Sequence, residues 1–109
     1  MRSFQDPKME QITKWLKDIF KPTRLFLYGS RANKTFREDS DYDFVMVLPD
    51  FDKTQRYDLM MNIQRQSFEK LGINVQVWTY SQADFNDWKD EFSSIPETAL
   101  NTGLEISLG

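Results

Sequence analysis

At 109 residues with no cysteine and no histidine, the chain has room for a single domain (1–109) and lacks the side chains for disulfides, thiol or histidine catalysis, and Cys- or His-held zinc. Any metal must be held by oxygen, which favours magnesium, manganese or calcium. The net charge of −3 is uneven: residues 1–37 carry nine Lys/Arg against three Asp/Glu and the rest five against fourteen, which disfavours a uniformly basic nucleic-acid binder and leaves a phosphate-bearing small ligand open.

The first helix is expected to be capped by Asp6, with Pro7 at its first position and Met9, Ile12, Leu16, Ile19 and Phe20 at helical spacing. Lys21-Pro22 ends it. Arg24 to Tyr28 is continuously apolar past its first residue, the pattern of a strand buried on both faces. Gly29-Ser30 breaks that strand into a turn or short helix over 30–34. Asp41 to Leu48 is the second expected strand, with Asp41, Asp43, Val45 and Val47 on one face and Tyr42, Phe44, Met46 and Leu48 on the other.

A long helix is expected from Thr54 to Leu71, with Tyr57, Met60, Met61, Gln64, Phe68 and Leu71 as its inner stripe and Gly72 as its stop. Ile73 to Thr79 reads as a third strand, Ile73, Val75 and Val77 alternating with Asn74, Gln76 and Trp78. Ser81-Gln-Ala-Asp84 resembles a capping box opening a helix that carries Phe85, Trp88 and Phe92, aromatics expected in the core more than at an interface. A helical turn to Gly103 and a terminal strand over Leu104–Leu108 complete the chain. This order predicts an α+β fold, a small mixed β-sheet backed by helices, with the relative direction of the first two strands left open. No run of ~18 apolar residues is present and the first six residues lack a signal-peptide core, so a cytoplasmic protein with no membrane span is expected.

The segment from Leu25 to Val47 carries the chemistry. An apolar run ends in Gly29-Ser30, ten residues intervene, and a second apolar run opens on Asp41-Tyr42-Asp43. Carboxylates at i and i+2 of a strand project to one side, where they repel each other unless a cation lies between them. Magnesium suits a site of one or two carboxylates plus phosphate oxygens, and two such ions can serve a nucleotidyl transfer. Glycine allows the backbone to approach a triphosphate closely, the following N–H groups and the Ser30 hydroxyl can donate to it, and Arg31, Lys34 and Arg37 can add positive charge. Alone, Gly-Ser after a strand is usually a turn and Asp-x-Asp is as often a cap; together, flanking two strands, they are far more specific.

Gly29-Ser30-Arg31-Ala32 followed by Arg37-Glu38-Asp39-Ser40-Asp41-Tyr42-Asp43-Phe44 resembles the signature of minimal nucleotidyltransferase (MNT) domains of the DNA polymerase β-like superfamily, as found in antitoxins paired with HEPN-domain toxins. The resemblance implies that fold over most of the chain, with Gly29 and Ser30 at the nucleotide phosphates and Asp41 and Asp43 on magnesium; Arg31 and Arg37 join the nucleotide-binding candidates through their charge. Two positions depart from the family pattern. Asn33-Lys34 stands where Arg-Gly is usual, and Val75-Gln76-Val77 stands where a Val-Asp-Val pattern brings the third catalytic carboxylate. Gln76 offers a carbonyl oxygen but no charge and no base, which implies that catalysis suffers more than triphosphate binding.

Three functions follow as expectations. The first is a magnesium-dependent transferase moving a nucleoside monophosphate, AMP from ATP in the first instance, to a hydroxyl of a HEPN-type toxin with which it assembles, acting as antitoxin. The second is the same fold, impaired at Gln76, neutralising the toxin by binding alone. The third, ranked last, is transfer to a small molecule such as an aminoglycoside, for which 109 residues leave no room for a substrate domain.

Overall fold

A computed structural model describes residues 7–29 and 41–108; the expected Asp6 cap and the turn over 30–34 lie outside them. Helix α1 (Pro7–Phe20) buries Met9, Ile12, Thr13 and Leu16. It ends where Lys21 turns left-handed at φ 48°, its N–H donating to the Lys17 carbonyl at 3.0 Å, and Pro22 cannot continue the helix. Strand β1 (Arg24–Tyr28) runs antiparallel to β2 (Tyr42–Leu48), which resolves the direction left open by the sequence. Asp41 lies just before β2 rather than within it.

Asp52 accepts from the Thr54 N–H at 2.9 Å and from its hydroxyl at 2.7 Å, opening a 3₁₀ turn over Lys53–Gln55. The helix proper, α2 (Arg56–Leu71), therefore starts two residues later than the pattern suggests. Gly72, left-handed at φ 68°, closes it with a bond to the Phe68 carbonyl, a conformation glycine adopts without steric cost. Strand β3 (Val75–Ser81) pairs parallel with β2. Ser81 caps α3 (Gln82–Trp88) by accepting from the Asp84 N–H at 3.0 Å. Ser94 caps α4 (Ile95–Thr102) through the Glu97 N–H, and its own hydroxyl donates to the Trp88 carbonyl at 2.6 Å, which ties the two helices together. The expected terminal strand shortens to β4 (Leu104–Glu105), antiparallel to β1.

The mixed sheet has strand order β3-β2-β1-β4. Its alternating side chains feed two cores. One face packs Leu25, Leu27, Phe44, Met46, Val75 and Val77 against α1 and α2. The other packs Phe26, Val45, Val47 and Tyr80 against Phe85 of α3 and Ala99 of α4. Phe26 and Phe85 stack at 5.6 Å between ring centroids, and the Arg24 guanidinium lies 5.0 Å from the Phe26 centroid while bonding both Glu105 carboxylate oxygens at 2.8 and 2.7 Å. At the opposite edge, Arg56 donates to the Thr79 carbonyl at 2.6 Å and lies over the Tyr80 ring at 4.2 Å, covering part of an edge strand that would otherwise invite pairing.

Three expectations about apolar stripes are corrected. On α2 the buried residues are Met60, Ile63 and Ser67, whereas Tyr57, Met61 and Phe68 face solvent. Ser67 is buried because its hydroxyl reaches both the Gln64 and Ile73 carbonyls, at 2.9 and 3.0 Å, fastening the helix to the start of the next strand. Ile19 is exposed at the end of α1. Phe85 is core as expected, but Trp88 is half-exposed and Phe92, beyond the end of α3, is exposed.

Candidate active site

One row of residues crosses three strands at one end of the sheet: Tyr28 on β1 is opposite Asp43 on β2, and Asp43 is opposite Gln76 on β3. Strand alternation puts Asp43 on the same face as Val45 and Val47, whose side chains lie in the core beneath α3 and α4. The charge of Asp41, two residues earlier, adds to the upward shift of the Asp43 pKa. Asp43 and Gln76 are thus register partners in this row, and Asp41 lies just before it in the chain.

Asp43 is half-buried, and burial first, then the Asp41 charge, pushes its pKa from 3.8 up to about 6. Its Oδ1 is buried with no hydrogen-bond partner among the described residues. Two other buried atoms, Trp15 Nε1 and Thr79 Oγ1, share that condition, but neither carries charge. An ionised carboxylate oxygen left in this state is costly, and a cation held between the two acids is the natural relief. The donor set therefore fits a hard, oxygen-preferring ion held by Asp41 and Asp43. Among the described residues no group of three or more His, Cys, Asp or Glu converges; where a third acid could approach Asp43 from β3, the register supplies the Gln76 amide.

Gly29 completes the described part. Its φ of +71° is left-handed, and a Cβ there would lie 3.1 Å from Asp43 Oδ2, so glycine spares the turn both backbone strain and a tight contact with the acid. Ser30, Arg31, Lys34 and Arg37 lie outside the described residues. The motif reading did not include Tyr28, half-buried beside Asp43; only the antiparallel register reveals that neighbour. A cavity of about 710 Å³ opens elsewhere, between α1 and β4, lined by Met9, Thr13, Lys17, Leu104 and Ile106 among others. It contains neither Asp41 nor Asp43 and is a separate feature.

The family model described as "Polymerase beta, Nucleotidyltransferase" matches residues 10–92. No curated protein matches the chain. Among solved structures, a crystal structure of a mutant form of the toxin–antitoxin MntA-HpeT is similar to this one, with a TM-score of 0.58, 18% sequence identity, and coverage of 88% of this chain and 69% of that chain.

Proposed function

Since the chain belongs to the polymerase beta nucleotidyltransferase family, we propose that it transfers a nucleoside monophosphate, AMP from ATP, to a hydroxyl of a partner protein, and that it does so as the antitoxin of a toxin–antitoxin pair. The observation that carries the reading is the orphaned Oδ1 of Asp43, raised in pKa beside Asp41. That state suits a carboxylate whose partner is a cation delivered with a nucleotide. The similarity of fold to a structure of MntA-HpeT supports a toxin as the partner, and the sequence signature supports one of HEPN type.

In this reading Asp41 and Asp43 hold magnesium, one ion or two, which when bound supplies electrostatic stabilisation of the phosphate oxygens. Gly29 admits the triphosphate to the acid pair, with Ser30, Arg31 and Arg37 at its phosphates. The acceptor oxygen attacks the α-phosphorus, a P–O bond forms to it, and the bond to the leaving pyrophosphate breaks. The acceptor's proton must leave to water or to a base other than Gln76, whose amide cannot accept it. No described helix is long and apolar enough to cross a membrane, and the reading puts the reaction in the cytoplasm.

A second reading rests on the register of Asp43 with Gln76: the site binds nucleotide without turning it over, and the protein neutralises its partner by contact. Label transfer from α-phosphate-labelled ATP separates the two. The chain would be mixed with magnesium and the product of the adjacent gene, with Asp43→Asn as control. Label on the partner, absent with the control, supports transfer; no label above the control, with a folded partner present, leaves binding alone.

A further inference from the structure

Along α2 the residues Tyr57, Met61, Gln64 and Phe68 recur at spacings of four, three and four. That is the repeat of a helix seam that packs against another helix. It is not the face α2 uses inside the fold, which is Met60, Ile63 and Ser67. Tyr57 is 69% exposed, Met61 45% and Phe68 59%, so a four-turn helix presents two aromatic rings and a thioether to solvent in one line. Single exposed apolar residues need no explanation, but a contiguous stripe with seam periodicity marks an interaction surface.

We propose that this outward face of α2 is a self-association surface that takes the same helix of a second copy of the chain, antiparallel. The charges beside the seam select the occupant and the direction. Asp58 and Arg65 flank the stripe on one side, two turns apart on the helix. Asp58 has no ion pair among the described residues, and Arg65 makes only exposed local contacts, to Asn62 Oδ1 at 2.8 Å and to Glu69 at 3.9 Å, which cost little to re-aim. A two-fold axis between Met61 and Gln64 sets Tyr57 against Phe68 of the second copy and Met61 against its Gln64. The same axis brings Asp58 beside Arg65 of the second copy, and every contact occurs twice. Parallel pairing would instead set Asp58 level with Asp58 and Arg65 level with Arg65. The sequence of the stripe is thus complementary to its own reverse.

One helix seam lies at the low end of interface sizes, so the dimer is weak. Sedimentation equilibrium of the full chain, from low to several hundred micromolar, reads it directly. The wild type should pass from monomer to dimer, and Phe68→Glu should weaken association by roughly tenfold or more with an unchanged far-UV circular dichroism spectrum. Asp58→Arg and Arg65→Asp should each weaken it, and the two together should restore it, because the swap recreates the opposite-charge pairs. A wild type that stays monomeric throughout overturns the proposal, also if the same stripe binds a different protein. So does a dimer that Phe68→Glu leaves unchanged, or a double swap that fails to restore association.

Discussion

Gly29 and Asp43 approach so closely that a Cβ on residue 29 would lie 3.1 Å from the Asp43 Oδ2. Gly29→Ala meets two penalties: a left-handed backbone at φ +71°, worth about 1 kcal/mol for a residue with a side chain, and a methyl group pressed on the acid. It should lower stability by about that amount in urea titrations. It should also weaken binding of manganese or magnesium to the acid pair in calorimetry, an effect a purely conformational penalty far from the site would not produce. Unchanged cation binding would mean that the close approach serves only the turn.

Asp43 titrates near 6 when folded against 3.8 ordinarily, and the sign of its contribution follows. Below 3.8 the group is protonated in both states. Between 3.8 and about 6 the folded protein holds a proton that the unfolded chain has released, so stability falls as pH rises; above 6 the loss is complete. Without divalent cations, Asp43→Asn should be the more stable form at pH 7.5, by about 1 kcal/mol once solvent screening of a half-buried group is allowed for, and should match the wild type near pH 3.5. Adding magnesium at pH 7.5 should raise the wild-type melting temperature and leave that of Asp43→Asn unmoved. Thermal melts of both forms at the two pH values check this.

Two glycines separate close packing from backbone conformation. A Cβ on Gly103 would lie 2.6 Å from the Ala99 carbonyl oxygen and 2.8 Å from that of Leu27, both backbone atoms that cannot step aside, so Gly103→Ala should cost about 2 kcal/mol or more and loosen β4. Gly72 has nothing within 4 Å of its would-be Cβ but sits at φ +68°, so Gly72→Ala should cost only about 1 kcal/mol. Chemical denaturation gives both values, and hydrogen exchange at Ile106, whose N–H donates to the Leu25 carbonyl at 2.8 Å, should accelerate in the first variant alone.

The strands were legible because their period of two is strict. Val45 and Val47 fall on one face and Phe44 and Met46 on the other, each pair in its own core, and Ile73, Val75 and Val77 all enter the first core. The face of α2 was only partly legible: Met60 and Leu71 were expected inside and do pack on the core, but Ile63 and Ser67 were not picked out. Tyr57, Met61 and Phe68 and the true inner residues Met60, Ile63 and Ser67 are both helically spaced, and hydropathy alone favours the wrong set. What decides is the pair of bonds from Ser67 to Gln64 and Ile73, a tertiary fact. The acids and Gln76 could be named from the motif and the resemblance, but the alignment of Asp43 and Gln76 in one row with Tyr28 needed the strand register, because the link from β1 to β2 leaves direction undetermined. Phe92 was misplaced because helical spacing from Phe85 runs on past Trp88, where α3 has already ended.

Gln76 faces Asp43 across the parallel β2–β3 pair, and Gln76→Asp would add a third carboxylate to the row. If the wild type is an enzyme slowed by the missing acid, this variant should raise label transfer to the partner, by roughly the 10²–10⁴-fold that a positioned base contributes when base loss is the whole deficit. Neutralisation of the partner in cells would be unchanged if contact suffices. A variant that folds, binds cations more tightly and still transfers nothing would favour the binding-only reading.

Binding of ATP with magnesium, measured by isothermal titration calorimetry on the wild type and Asp43→Asn, tests most directly whether the acid pair is a nucleotide site. The wild type should bind with heat that depends on magnesium, and Asp43→Asn should lose at least tenfold in affinity, the size of about 1.4 kcal/mol. Equal binding by both proteins, or none by a folded wild type, would contradict the assignment of Asp41 and Asp43 to a metal–triphosphate site.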